Sequence, residues 1–140
     1  MCTLVRDVCQ VRNHIATVTA NCNLSGHRVL HALESAEWIR LSSSSADLTI
    51  YAGDFNTEPT DVPYKMLRTI AHLDDAWEDV HGASGDLGKT CGTDQNSFSV
   101  PSYPGKRIDY IMHRAGPNVK SKVAMCELPL ANRVPGKNYR

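Results

Sequence analysis

A layered α/β fold is the architecture this sequence predicts, on three observations. Apolar residues recur at helical spacing over residues 27–41, a β-branched and aromatic run fills residues 48–52, and a second such run fills 107–113. Helix and strand periodicities that alternate through short connections bury one face of each element against the other. The frame suits one domain with a real core: 140 residues, 41% hydrophobic and 21% charged. Fifteen basic and fifteen acidic side chains cancel, so the chain has too little net charge for disorder. The same neutrality argues against nucleic-acid binding by bulk attraction.

The first helix is expected over 27–41, where Val29, Ala32, Leu33, Ala36 and Ile39 share a stripe and His31, Glu34, Glu37 and Arg40 fall mostly off it. Asn23 or Ser25 caps its start, and the serine run 42–45 ends it. Residues 48–52 then read as a buried strand bounded by Gly53 and Asp54. A second helix is expected over 63–72, capped by Asp61 and burying Leu67, Ile70 and Ala71; Pro63 sits in its first turn, where a missing N–H costs nothing. Residues 82–106, rich in Gly, Ser, Asp and Pro, read as a long surface loop with a short strand near 97–100. Strands at 107–113 and 119–128 follow, and 129–140 has no periodicity.

Three compositional features bear on compartment and partners. The N-terminus lacks a long apolar stretch and carries Asp7 early, and no run reaches 18 apolar residues, so neither a signal peptide nor a spanning helix is expected. Cys2, Cys9, Cys22, Cys91 and Cys126 are odd in number and widely spaced, which suits scattered thiols in an intracellular, reducing setting, Cys126 being buried in a strand. A zinc site with the six histidines is the other reading, without ligand spacing to support it. Charge is segregated: residues 46–100 hold 3 basic and 10 acidic side chains, net −7, and 101–140 hold 8 and 2, net +6. This pattern either sets a cation site beside phosphate-attracting groups or makes two solvated faces that attract each other.

Chemistry concentrates at two places. Gly53, Asp54, Phe55 and Asn56 close the first strand; if the strand continues, Asp54 and Asn56 share one face. A carboxylate can take a proton from water or hold a cation, and an amide can orient that water or donate to a phosphoryl oxygen. The alternative is a turn in which Asp and Asn bond the local backbone. The second place is Asp109, in Arg107, Ile108, Asp109, Tyr110, Ile111. In a strand covered on both faces its carboxylate would need a partner, either a histidine held in one tautomer or a salt bridge to Arg107 or Lys106.

These two segments, in this order across a variable loop, resemble the endonuclease/exonuclease/phosphatase superfamily, and within it the neutral sphingomyelinase branch. The resemblance rests on residues 26–32, 47–61 and 105–111 and extends over about 14–138. It implies a deoxyribonuclease-like four-layered α/β sandwich, of which residues 14–140 would be roughly the second half, with 1–13 matching poorly. It also implies a Mg²⁺-dependent phosphodiesterase that hydrolyses sphingomyelin to ceramide and phosphocholine, at a membrane surface and without a nucleic-acid partner. By the same resemblance Asp54 is the catalytic acid/base carboxylate and the nearest metal candidate, Asn56 orients phosphate or water, and Asp109 holds the catalytic histidine.

Departures from the family pattern give a further expectation. The family's upstream Asn and principal Mg²⁺-binding Glu have no counterpart, Ala16 to Ala20 stands where a Thr-His-Leu-His-like segment is usual, and a terminal Ser-Asp-His signature is absent. His72 and His113 are poor substitutes as partners of Asp109. A catalytic-domain fragment, inactive on its own, is therefore expected. A nuclease or other phosphoesterase of the same superfamily and a non-catalytic truncated product are the alternatives.

Overall fold

The computed structural model describes residues 25–83, 88–93 and 105–129. Helix α1, Ser25–Ser42, buries Ala32, Ser35, Ala36 and Ile39, a stripe narrow enough for close approach of helix α2, Val62–Ile70. Leu33, expected in that stripe, is exposed and Ser35 takes its place. The serine run ends α1 by satisfying its last carbonyls: Ser42 Oγ donates to Trp38 O at 2.7 Å, and the Ser43 hydroxyl and N–H both donate to Ile39 O. Ser25 is the first residue of the helix rather than its cap, and Asn23 lies outside the described residues.

Asp61 is the N-cap residue of α2, but its carboxylate serves the preceding turn, accepting from Glu58 N–H at 2.9 Å and Thr57 Oγ1 at 3.2 Å. The helix buries Tyr64 and Leu67 and stops at Ile70. Ala71 behind it is fully buried, and His72 turns to φ 53°, so the expected end at 72 falls two residues too late. Ile70 is only half-buried.

Strands β1, Leu48–Asp54, and β3, Asp109–Ala115, pair antiparallel, with Leu48 opposite Ala115 and Asp54 opposite Asp109. The two-residue strand β2, Asp74–Asp75, lies on the other edge of β3, giving the order β1-β3-β2. Alternation divides β3 cleanly: Tyr110 and Met112 turn inward, joining α1, α2 and Leu73 in one core. Ile111 and, on the neighbouring strand, the β1 residues Leu48 and Ile50 turn outward, Ile50 being 63% exposed.

Several expectations change here. Strand β1 is not buried, because α1 and α2 pack only on the face of the sheet that carries Tyr110 and Met112. Asp109 consequently stands on the open face and is exposed rather than facing an apolar interior. β3 begins at Asp109, two residues later than expected. Residues 119–128 form no strand and pair with neither outer edge of the sheet β1-β3-β2. That segment runs as irregular chain, tied by His81 Nε2 to Cys126 O at 2.8 Å, and Cys126 is half-buried outside any strand.

Helix α3, Ala76–His81, was not foreseeable as a periodic segment at six residues, yet its start carries a signal. Asp75 caps it, accepting from Trp77 N–H at 2.9 Å, and Glu78 stands three residues on, the spacing of a capping box. The expected strand near 97–100, the stretch 1–13, residues 130–140 and Cys2, Cys9 and Cys22 lie outside the described residues. Among those described, no helix is long and apolar enough to cross a membrane.

Candidate functional site

Asp54 ends β1 and Asp109 begins β3, and the register sets them directly opposite on the open face of the sheet. Side chains so placed have Cβ atoms about 4.5–5.5 Å apart, and two like charges there destabilise the pair. A cation between them, or a proton on one, removes that cost. Hard carboxylate oxygens are the donors Mg²⁺ takes, commonly one or two carboxylates completed by water and substrate phosphate. The chemistry of this pair therefore fits the ion, although among the described residues no group of three His, Cys, Asp or Glu comes together.

Asn56 is tied to Asp54 through its backbone rather than by strand alternation. β1 stops at Asp54, Asn56 adopts φ 48°, and Asp54 Oδ1 accepts the Asn56 backbone N–H at 2.8 Å. The turn and the site thus use the same residues: the local bond orients the Asp54 carboxylate as it leaves the sheet. Phe55 between them stacks with Tyr51 and with Tyr110, ring centroids 5.0 and 5.2 Å apart, while its N–H donates to Ile108 O at 2.8 Å. The Tyr110 hydroxyl lies 2.8 Å from both Thr57 O and Arg107 O, sharing its proton between the loop after β1 and the approach to β3. Lys106 Nζ closes the same junction on Glu58 at 2.6 Å. Packing and hydrogen bonds on the covered side therefore hold the two motifs together, and their carboxylates emerge on the other side.

The partners the sequence suggested for Asp109 bond elsewhere. Arg107 turns into the interior and gives its guanidinium to Asp75 at 2.7 Å and Glu78 at 3.4 Å, with side-chain exposures of 6% for Arg107 and 1% for Asp75. Lys106 goes to Glu58, and His113 Nε2 lies 2.8 Å from Asp79 Oδ2. His72 is exposed at the end of α2. The Arg107 and Lys106 pairs join basic residues of 101–140 to acidic residues of 46–100, so the segregated charges attract one another across the fold. The pair Asp75 and Arg107 was missed in the sequence; the capping-box spacing at Asp75 was the available signal.

Tyr64 extends this network. Its hydroxyl lies 2.9 Å from carboxylate oxygens of both Asp75 and Glu78 and accepts from Arg68 at 3.2 Å. Burial, reinforced by those carboxylates, raises the Tyr64 hydroxyl pKa well above its usual value, and burial raises that of Tyr110 likewise. The folded state thus keeps protons that the unfolded chain loses above about pH 10, so stability falls as pH climbs past that point. Urea midpoints should hold steady between pH 7 and 9 and drop between 10 and 11; a flat midpoint through pH 11 would contradict this burial.

A cavity of about 250 Å³ opens beside Asp109, with Gly53, Trp77, Thr90 and Cys126 among its walls. Burial, aided by the Asp75 charge, raises the Cys126 thiol pKa, which makes it a poor nucleophile at neutral pH. The cavity can admit part of a ligand next to the carboxylate pair, with Cys126 in its wall.

Comparison with known proteins gives a consistent result. The model of the Endonuclease/Exonuclease/phosphatase family matches residues 9–128. A Drosophila melanogaster protein named "Putative neutral sphingomyelinase" is 30% identical over 131 residues, covering 90% of this chain and 28% of its own length. A Caenorhabditis elegans protein of the same name is 31% identical, covering 80% of this chain and 29% of its own length. The Mus musculus protein "Sphingomyelin phosphodiesterase 2" is 34% identical over 95 residues, 64% of this chain and 22% of the relative. The chain thus spans less than a third of the length of the relatives it matches.

Proposed function

The chain belongs to the endonuclease/exonuclease/phosphatase family, and on that premise we propose that it forms part of a Mg²⁺-dependent phosphodiesterase hydrolysing sphingomyelin to ceramide and phosphocholine. The observation that carries the reading is the cross-strand placement of Asp54 opposite Asp109, each within the motif that resembles the sphingomyelinase branch. The names of the fly, worm and mouse relatives supply the substrate class. In the complete protein the sheet would belong to a four-layered α/β sandwich, with residues 14–140 as part of the domain. A membrane surface presenting the lipid would be its working partner.

In this reading Asp54 takes the proton of the attacking water, whose oxygen bonds to phosphorus as the bond to the ceramide oxygen breaks, and the departing ceramide oxygen takes a proton from solvent water. Asn56, fixed one turn away, orients that water or donates to a phosphoryl oxygen. Asp109 holds a catalytic imidazole in one tautomer. Mg²⁺, when bound at Asp54 with Asp109 beside it, would supply positive charge against the phosphoryl oxygens. The 140 residues by themselves are proposed to be inactive, because among the described residues no imidazole or third metal-ligating side chain joins the carboxylate pair.

The test uses the natural protein, captured with an antibody against residues 57–70 and weighed intact. Phosphocholine release from sphingomyelin in detergent micelles, lost on adding EDTA, is the expected result. Cleavage of duplex DNA without phosphocholine release would transfer the assignment to a nuclease, and neither activity would favour a non-catalytic product.

A further inference from the structure

The strand that carries Asp109 begins without a ladder partner for its first amides, and a side chain from far away in sequence supplies one. Thr90 Oγ1 accepts from the N–H of Ile108 and the N–H of Asp109, both at 3.2 Å, across 18 and 19 residues. A hydroxyl oxygen has two lone pairs, and these two donors occupy both. On its other side Ile108 is held through its carbonyl by Phe55 N–H, within the motif of Asp54 and Asn56. The peptide entering Asp109 is thus clamped between Thr90 and the first motif.

Thr90 is itself held firmly. Its own N–H and that of Cys91 donate to Lys106 O at 2.9 Å, and Lys106 N–H returns to Cys91 O at 2.7 Å, a small antiparallel bridge. Two residues earlier, Gly88 lies against the Trp77 indole at φ 59°, where a Cβ would collide with the ring. A loop fixed at both points delivers one hydroxyl to the backbone of one carboxylate.

We propose that Thr90 is the positioning residue of Asp109: its hydroxyl sets the backbone from which the carboxylate reaches the site opposite Asp54. This deepens the proposed function and rests on it for the role of Asp109, though not for the clamp itself. Valine has the shape of threonine without the hydroxyl, and serine keeps the hydroxyl without the methyl, so the pair separates acceptor from packing.

The experiment compares Thr90→Val, Thr90→Ser and Asp109→Asn in the full natural protein. Losing a neutral acceptor should raise native-state hydrogen exchange of the Ile108 and Asp109 amides about tenfold in Thr90→Val, with Thr90→Ser close to wild type. In phosphocholine release, Thr90→Val should lower kcat about tenfold with KM unchanged, and Thr90→Ser should restore it. Unchanged exchange at both amides overturns the proposal whatever the activity. Loosened amides with unchanged kcat, while Asp109→Asn is inactive, also overturn it, since the clamp would then position nothing. Full activity in Asp109→Asn would instead remove the proposed role of Asp109, and exchange alone would then decide whether the clamp exists.

Discussion

Replacing Asp54 by Asn should lower Mg²⁺-dependent phosphocholine release by the natural protein about 10²–10⁴-fold, the range a positioned acid/base group supplies. The substitution is close to isosteric. Asn can still accept the Asn56 N–H through its side-chain oxygen, so the turn at φ 48° survives. What disappears is the capacity to take a proton or to hold a cation. Stability should move the other way, because the change removes one of two like charges set opposite each other at the end of β1 and β3. A gain of about 0.2–1 kcal/mol in urea unfolding is expected from relief of that pair. Loss of turnover together with equal or greater stability is a signature that simple unfolding cannot produce. Turnover retained at wild-type level would remove Asp54 from the proposed chemistry.

The second large effect is structural. Arg107→Met should destabilise the protein by about 3–5 kcal/mol, the cost of leaving a buried charge without its partner. Asp75 is 1% exposed and faces Arg107 at 2.7 Å, and its remaining bonds to Tyr64 and Trp77 N–H do not supply a counter-charge. The Arg107 guanidinium also lies 4.9 Å over the Tyr110 ring, whose hydroxyl joins the loop after β1 to the approach to β3. Adding Asp75→Leu to Arg107→Met should recover part of the loss, because the unpaired carboxylate is then gone. Urea midpoints of the wild type, the single variant and the double variant check this. A single-variant loss below about 1 kcal/mol, typical of a surface pair, would show that the network is solvated in solution.

The long elements were legible because their signals are local. Ala32, Ala36 and Ile39 repeat at helical spacing whatever they pack against, and Leu67 and Ala71 do the same one helix later. The β-branched and aromatic character of 48–52 and 107–113 marked strands whose ends moved by only two residues. The misreadings share one cause. Residues 119–128 have strand composition, but a strand forms only where its backbone pairs with another, and this segment pairs with none of β1, β2 and β3. The buried reading of β1 failed in the same way: Leu48 and Ile50 look like core residues, and only the placement of the helices leaves their face open.

At the candidate site the division is sharper. By itself the sequence determined which residue types were available, a carboxylate and an amide around Asp54 and a carboxylate at Asp109, because motif chemistry is written in consecutive residues. The tertiary structure decided their relation. Antiparallel register set Asp54 opposite Asp109, the turn after β1 tied the Asn56 backbone N–H to the Asp54 carboxylate, and Thr90 reached the backbone of Asp109 from 19 residues away. It also decided that Arg107 belongs to Asp75 rather than to its neighbour Asp109. The reason is where the strand begins: alternation would set residues 107 and 109 on one face, but Arg107 lies two residues before β3, outside its alternation, and its long arm finds its charge in the interior.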